Sequence, residues 1–254
     1  MATRSATTCA PASPRGSRAP ARRSGGVSAT RIAALVPCLD VAATVDGVVR
    51  GALAHVESVV VVDDGSTDET ARLAEAAGAT VLRHAATRGK GAALRTGLEW
   101  LRSEGFTHAF SLDGDGQHLA AEMPALLRES AAHPGAIVIG ARIRDGEVAG
   151  HRRFGNEFAN WWVSLAAWQT FPDTQSGFRI YPVDATLRLG VRADRYEFES
   201  EVLILASRQG IDVRSVPVRV WDPPPGELVS HYDPWIDTVR IIFTVVPLLV
   251  TRWR

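Results

Sequence analysis

The chain has 254 residues, with 28 basic and 28 acidic side chains and 46% hydrophobic residues, a length that fits one large domain or two small ones around a substantial core. The apolar content and the two cysteines, Cys9 and Cys38, exclude a wholly disordered, collagen-like or disulfide-framework protein and suit a reducing compartment. Residues 1–31 hold six arginines and no acid, so the other 223 residues carry six more acids than bases, which is not the basic footprint of a nucleic-acid-binding domain.

Residues 1–30 are rich in Ala, Arg, Ser and Pro and lack the apolar stretch of ~7–15 residues that a secretory signal needs. They read as a disordered tail, with an organelle transit peptide as the alternative. Order is expected from Arg31. Ile32–Val36 is an apolar run stopped by Pro37, and Val41 to about His55 reads as a helix with Val45, Val48, Val49 and Ala52 on one face. Val59–Val62 is a β-branched run cut off by Asp63-Asp64-Gly65. Ser66-Thr67-Asp68-Glu69 has the pattern of a capping box opening a helix that ends near Gly78, followed by a strand at Thr80–Leu82. Gly91 to about Ser103 is helical, Thr107–Leu112 is a strand, Ala121–Ala132 is a helix with Pro124 in its first turn, and Ala136–Gly140 is another strand. Repeated βα units predict an α/β fold, a single domain over 31–233 with a mainly parallel twisted sheet flanked by helices.

Two aromatic-rich segments follow. In Arg153–Trp168, Phe154, Phe158, Trp161, Leu165 and Trp168 form a helical stripe with Trp162 adjacent, which fits packing against the sheet or, alternatively, a wall for a lipid chain. Near the C-terminus Ile236, Val239, Phe243, Val246, Val250 and Trp253 repeat at three-four spacing beside Arg240, Arg252 and Arg254. The ten-residue run Ile241–Val250 is interrupted by Pro247 and falls short of the ~17–25 residues that span a bilayer. An amphipathic helix over 234–254 lying in a membrane interface fits better than a transmembrane one, with a core-docked terminal helix as the alternative.

The chemistry is located by where the acids fall. Asp63 and Asp64 end one apolar strand, Asp113 and Asp115 another, and ligands of open parallel sheets bind outside the carboxyl ends of the strands. Asp113-Gly114-Asp115 offers two hard oxygen donors that can approach one Mg²⁺ or Mn²⁺ while diphosphate oxygens fill other positions. The plainer reading is that short acids and glycines build turns. A calcium loop starting at Asp113 fails, because its sixth and twelfth positions are His118 and Pro124 rather than Gly and Glu. Arg88-Gly89-Lys90-Gly91 is not a phosphate loop, since His84 and Gly91 stand where Gly and Ser/Thr are required, and Leu94 breaks a dinucleotide fingerprint. The histidines make no pair at zinc spacing, and no Gly-x-Ser-x-Gly elbow occurs.

The ordered set VVVVDDGSTDET, RGKGAALRTGLEWL, FSLDGDGQH, DTQSGFRIYP, FESEVLILASRQG and SVPVRVWD, spread over about residues 31–245, resembles glycosyltransferase family 2 and, within it, the dolichol-phosphate mannosyltransferase-like (polyprenyl-phosphate sugar transferase) branch. The resemblance implies a GT-A fold and an inverting, metal-dependent hexosyltransferase. It also implies a nucleotide-sugar donor, Mg²⁺ or Mn²⁺, a polyprenyl or dolichyl phosphate acceptor, and a peripheral place on the cytoplasmic, inner face of a membrane. By position it puts Pro37, Val62, Asp63, Asp64, Asp113, Gly114 and Arg142 against the nucleotide-sugar, and Asp113, Asp115 and Gln117 at the metal. Arg153, Gln175 and Ser176 fall on the acceptor side, and Asp115, Glu199, Asp173 and Arg179 are the catalytic candidates.

Charge arguments run the same way. Cleaving a sugar–diphosphate bond leaves negative charge on the leaving group, which Lys90 and Arg142 suit. A phosphate acceptor is already anionic, whereas a hydroxyl acceptor needs a base, with Glu199, Glu201 or Asp173 as candidates. Structural ion pairs are the competing reading for Glu199 and Arg179, and a solvated loop position for Lys90. The sequence also departs from the family. Pro37-Cys38-Leu39-Asp40-Val41 stands where the first motif reads Pro-x-Tyr-Asn-Glu, and DPPPGELVSHYDPW lacks the Arg and Lys of the mannosyltransferases. Donor sugar and nucleotide are therefore not inherited. A sugar nucleotidyltransferase and an inactive nucleotide-binding relative remain the alternative functions.

Overall fold

The computed structural model describes residues 30–143 and 160–221. Residues 1–29 of the expected tail, Arg153 with Phe154 and Phe158, and the expected C-terminal helix lie outside the described residues. The elements run β1 (Ile32–Cys38), α1 (Val45–Leu53), β2 (Val59–Asp63), α2 (Thr70–Ala76), β3 (Thr80–Arg83), α3 (Lys90–Ser103) and β4 (His108–Ser111). A short 3₁₀ turn, Ala120–Glu122, leads into α4 (Met123–Ala132) and β5 (Ile137–Arg142). Helical residues 160–167 form α5, followed by β6 (Arg179–Pro182), α6 (Val183–Arg188), α7 (Glu197–Arg208) and β7 (Val213–Val218).

Seven strands form one sheet in the order β3-β2-β1-β4-β6-β5-β7. All neighbours pair in parallel except β6, which is antiparallel to both β4 and β5. The sheet is covered on both faces, which is why its strands read as continuous apolar runs. Alternate residues divide between two cores. Ala33, Leu35, Val60, Val62, Ile137 and Tyr181 pack with α3, α5 and α7. Ala34, Val36, Cys38, Val61, Phe110 and Ile180 pack with α1, α2 and α4. Each fully buried Leu, Val or Phe contributes roughly 1.5–3 kcal/mol.

Three local expectations change. β1 continues through Pro37 to Cys38, because β4 pairs only with Ile32–Leu35 and leaves the position of the missing Pro37 N–H beyond its reach. Ser66–Glu69 makes no capping box: α2 starts at Thr70, Ser66 Oγ accepts from Asp40 N, and the Asp68 carboxylate accepts from Thr70 N and Ala42 N. The acid-rich turn is thus stitched to the chain leaving β1. On α5, the small residues Ala166 and Ala167 face the sheet with Val163, so Trp161 and Trp168 are left 57% and 76% exposed. For Trp161, Leu165 and Trp168, the described part of that stripe, the expected packing against the sheet is corrected by this register.

Candidate active site

The carboxyl ends of β1, β2, β4 and β5 meet at one edge of the sheet. Because β6 runs the other way, its first residue and the preceding loop reach the same edge, as do the first turns of α3 and α7. The topology therefore assembles Asp63, Asp64, Lys90, Asp113, Asp115, Arg142, Asp173 and Glu199 from far-apart segments.

The first acid pair is committed to its own loops. Asp63 Oδ1 accepts from Ser66 N at 2.8 Å, and its Oδ2 lies 3.1 Å from Arg83 Nε. Asp64 accepts from Arg88 N at 2.9 Å and Gly89 N at 2.7 Å and is 2.6 Å from His84 Nδ1, whose other ring nitrogen is 3.0 Å from Thr96 Oγ1. Asp64 thus holds the loop that leads into α3. Val62, expected beside the nucleoside, is buried among the sheet residues and has no surface to offer one. Pro37 pairs with it in register on β1. Beside the acids lies a shallow depression lined by Gly65, Ser66, Thr67, Arg83, His84 and Ala85.

Gly89-Lys90-Gly91 acquires a packing reason. A Cβ on Gly89, whose φ is +108°, would collide with Asp194 O, and one on Gly91 would lie 2.6 Å from Ala193 O. Asp194 O accepts from Ala92 N at 3.0 Å, and Glu201 Oε2 accepts from Arg192 N and Ala193 N, so the loop before α7 is clamped across the start of α3. Gly89→Ala should displace this loop and lower nucleotide-sugar turnover at least tenfold. Normal turnover in steady-state assays of that variant would show that the close approach is dispensable.

Lys90 points inward between two acids, its Nζ 2.5 Å from Asp113 Oδ1 and 2.9 Å from Glu199 Oε1. Burial alone would raise the Asp113 carboxyl, but Lys90, with His118 and Arg142, holds it at about 2. Asp115 goes the other way: burial and the neighbouring Asp113 charge push it up to about 6. Its Oδ1 accepts from Gln117 N at 3.0 Å. Gly114 is required because a Cβ there would lie 2.9 Å from Cys38 Sγ.

This donor set fits a divalent ion. Asp115 is a carboxylate whose charge the protein leaves poorly compensated, next to a second carboxylate, and both offer hard oxygens. Among the described residues no three His, Cys, Asp or Glu side chains are placed to hold a metal ion, so further donors would have to be other oxygens, such as those of Gln117, a diphosphate or water. Gln117 O also accepts from Trp221 N at 2.9 Å, which brings that half-exposed indole to the rim.

On the other side, Arg142 and Asp173 are each other's partners. Arg142 donates to both Asp173 oxygens, at 2.6 and 3.0 Å, and Gln175 N donates to Oδ1 at 3.1 Å. Burial would raise Asp173, yet Arg142 holds it below the usual carboxylate range. Arg179, expected to be catalytic, is fully buried. Three of its five N–H donors go to Ser176 O, Glu199 O and Thr174 O at 2.7–2.8 Å, so it fastens the 173–178 loop to α7, and its burial keeps it away from substrate. Ser176, expected at the acceptor, is likewise buried and its Oγ accepts from Phe178 N. Gln175 Nε2 reaches Thr174 Oγ1 and Ser200 Oγ.

Two contributors escaped the sequence reading. His118 stacks on Phe178 at 4.9 Å beside Asp113, and burial pushes it down to about 4, so it is neutral there. Its only signal was adjacency to the Asp113–Gln117 run. Gly177 lies so close to Asp113 that a Cβ would be 2.6 Å from both carboxylate oxygens.

An α/β sheet of this order, with a paired-acid turn at its carboxyl edge, suits a metal- and phosphate-binding enzyme, and comparison with known proteins gives the class. Residues 34–190 match Glycosyl transferase family 2. The chain is 32% identical over 176 residues to Glycosyltransferase AglJ of Haloferax volcanii, covering 66% of this chain and only 55% of that protein. It is 25% identical over 186 residues to the UDP-N-acetylglucosamine--dolichyl-phosphate N-acetylglucosaminyltransferase of Methanococcus voltae, covering 64% of this chain and 74% of that one. The solved structure of glucosyl-3-phosphoglycerate synthase from Mycobacterium tuberculosis, in complex with Mn²⁺, UDP and phosphoglyceric acid, superposes with a TM-score of 0.68 at 20% identity, covering 89% of this chain and 80% of that one. The chain belongs to glycosyltransferase family 2, with the GT-A fold, and is a glycosyltransferase.

Proposed function

We propose that the chain moves a hexosyl group, with inversion, from a nucleoside diphosphate sugar to a polyprenyl or dolichyl phosphate. The observation that carries the acceptor class is the state of the three candidate bases. Asp173 is ion-paired to Arg142, Glu199 faces Lys90, and Glu201 accepts from two backbone amides. Among the described residues a hydroxyl nucleophile would find none of these three free to act as its base, whereas a phosphate oxygen already carries its charge. That oxygen attacks the anomeric carbon as the bond to the diphosphate breaks on the opposite face, and the electron pair leaves with the nucleoside diphosphate. Lys90 supplies positive charge where the leaving oxygens gather negative charge. Asp113 and Asp115 would hold Mg²⁺ or Mn²⁺, which when bound screens the diphosphate. The relative from Methanococcus voltae is named for a dolichyl-phosphate acceptor, and the Mycobacterium neighbour carries Mn²⁺ with UDP.

A lipid acceptor also suits the rim, where Leu119, Ile143 and Trp221 are exposed near the paired acids. Among the described residues no helix is long and apolar enough to cross a membrane; a lipid-phosphate acceptor would place residues 31–233 at the inner face of a membrane as a peripheral domain. The test is transfer from a panel of radiolabelled UDP- and GDP-sugars with Mn²⁺ to dolichyl phosphate in vesicles, to 3-phosphoglycerate and to an alkyl glycoside. Product with the lipid phosphate is expected. Product with the alkyl glycoside alone would overturn the phosphate argument, and product with 3-phosphoglycerate alone would overturn the lipid.

A further inference from the structure

The Lys90 ammonium sits where a counter-ion of Asp113 is needed. It is 2.5 Å from Asp113 Oδ1 and 2.9 Å from Glu199 Oε1, and its side chain is only 14% exposed. It is fixed from both ends: Gly89 and Gly91 admit the 193–195 loop over it, and Asp64 pins the backbone at Arg88 and Gly89. Lys90 is also the first residue of α3, where the helix dipole adds positive potential.

One ammonium therefore neutralises the very carboxylate that, with Asp115, offers oxygens to a divalent ion. In a partly buried site, a second cation beside the first meets repulsion that water only partly screens. An anionic nucleoside diphosphate removes it by offering new partners to both cations.

We infer that Lys90 acts as a charge gate that makes divalent-metal binding at Asp113 and Asp115 depend on the nucleoside diphosphate. The inference rests on the metal reading in the proposed function and goes beyond it. Free protein binds the ion weakly, nucleotide and ion reinforce each other, and the reinforcement is a property of this side chain rather than of the acids alone.

The test follows free Mn²⁺ by electron paramagnetic resonance on wild type, on Lys90→Met, and on Lys90→Met/Glu199→Gln, each with and without UDP. Melting curves are recorded in parallel. The single variant leaves the buried Glu199 carboxylate without its cation, and the double variant restores neutrality there, so one of the two folds even if the other does not. In the folded variant Mn²⁺ alone should bind about tenfold tighter than to wild type. UDP, which strengthens Mn²⁺ binding in wild type, should strengthen it at least tenfold less in the variant. Unchanged or weaker Mn²⁺ binding by a folded variant, with the UDP–Mn²⁺ coupling of wild type intact, overturns the gate and leaves the metal site standing. Absence of Mn²⁺ binding in every protein, even with UDP, overturns the metal site and the gate together.

Discussion

Asp115→Ala should lose metal-dependent nucleotide binding and about 10²–10³-fold in turnover, the range seen when one electrostatic contributor to a transition state is removed, while its melting temperature stays level or rises. The two halves of this expectation have one cause. Asp115 is partly buried next to Asp113, its carboxyl is pushed up to about 6, and a single backbone N–H, from Gln117, is the hydrogen bond it receives. A carboxylate in that position is a burden to the fold and is worth keeping only for a ligand that repays its charge. Calorimetry with UDP and Mn²⁺, beside differential scanning calorimetry, reads both halves. Wild-type UDP affinity in the variant and in EDTA would remove Asp115 from the site.

Arg179→Leu should do the reverse. The fully buried guanidinium satisfies three carbonyls, those of Thr174, Ser176 and Glu199. Leucine fills part of the volume and removes a charge-assisted hydrogen bond to each carbonyl, at about 1–3 kcal/mol each. A loss of at least ~3 kcal/mol is expected, which for a domain of this size lowers the melting temperature by about 6–12 °C. At low temperature the folded fraction should still bind UDP with Mn²⁺ near normal affinity. An unchanged melting temperature with kcat abolished would return Arg179 to the chemistry.

These opposite expectations mark what the sequence could and could not carry. Acids at the ends of apolar runs are legible, because a parallel α/β sheet has only one edge where such ends collect. That placed Asp63, Asp64, Asp113 and Asp115 on one edge of the sheet. Side-chain partnership is not legible, since it depends on rotamers chosen across gaps of many residues. Arg142 and Asp173 were read as two functional groups facing substrate, and they face each other. β6 was not read as a strand at all, because its four residues, Arg179–Pro182, are too few to show a period. On α5 the bulky apolar residues suggested the buried side, yet close packing against the sheet selected the alanines.

The reversal at β6 has a consequence for how the reaction edge is held together. The chain leaves that edge after Arg142, at the end of β5, and re-enters it at Asp173, just ahead of β6. The bidentate ion pair between those two residues is a clasp at the neck of this excursion, and Arg179 rivets its returning limb to α7. One wall of the site is thus anchored at two points that do not depend on strand pairing, so it can hold its shape even where the antiparallel ladder is only a few residues long.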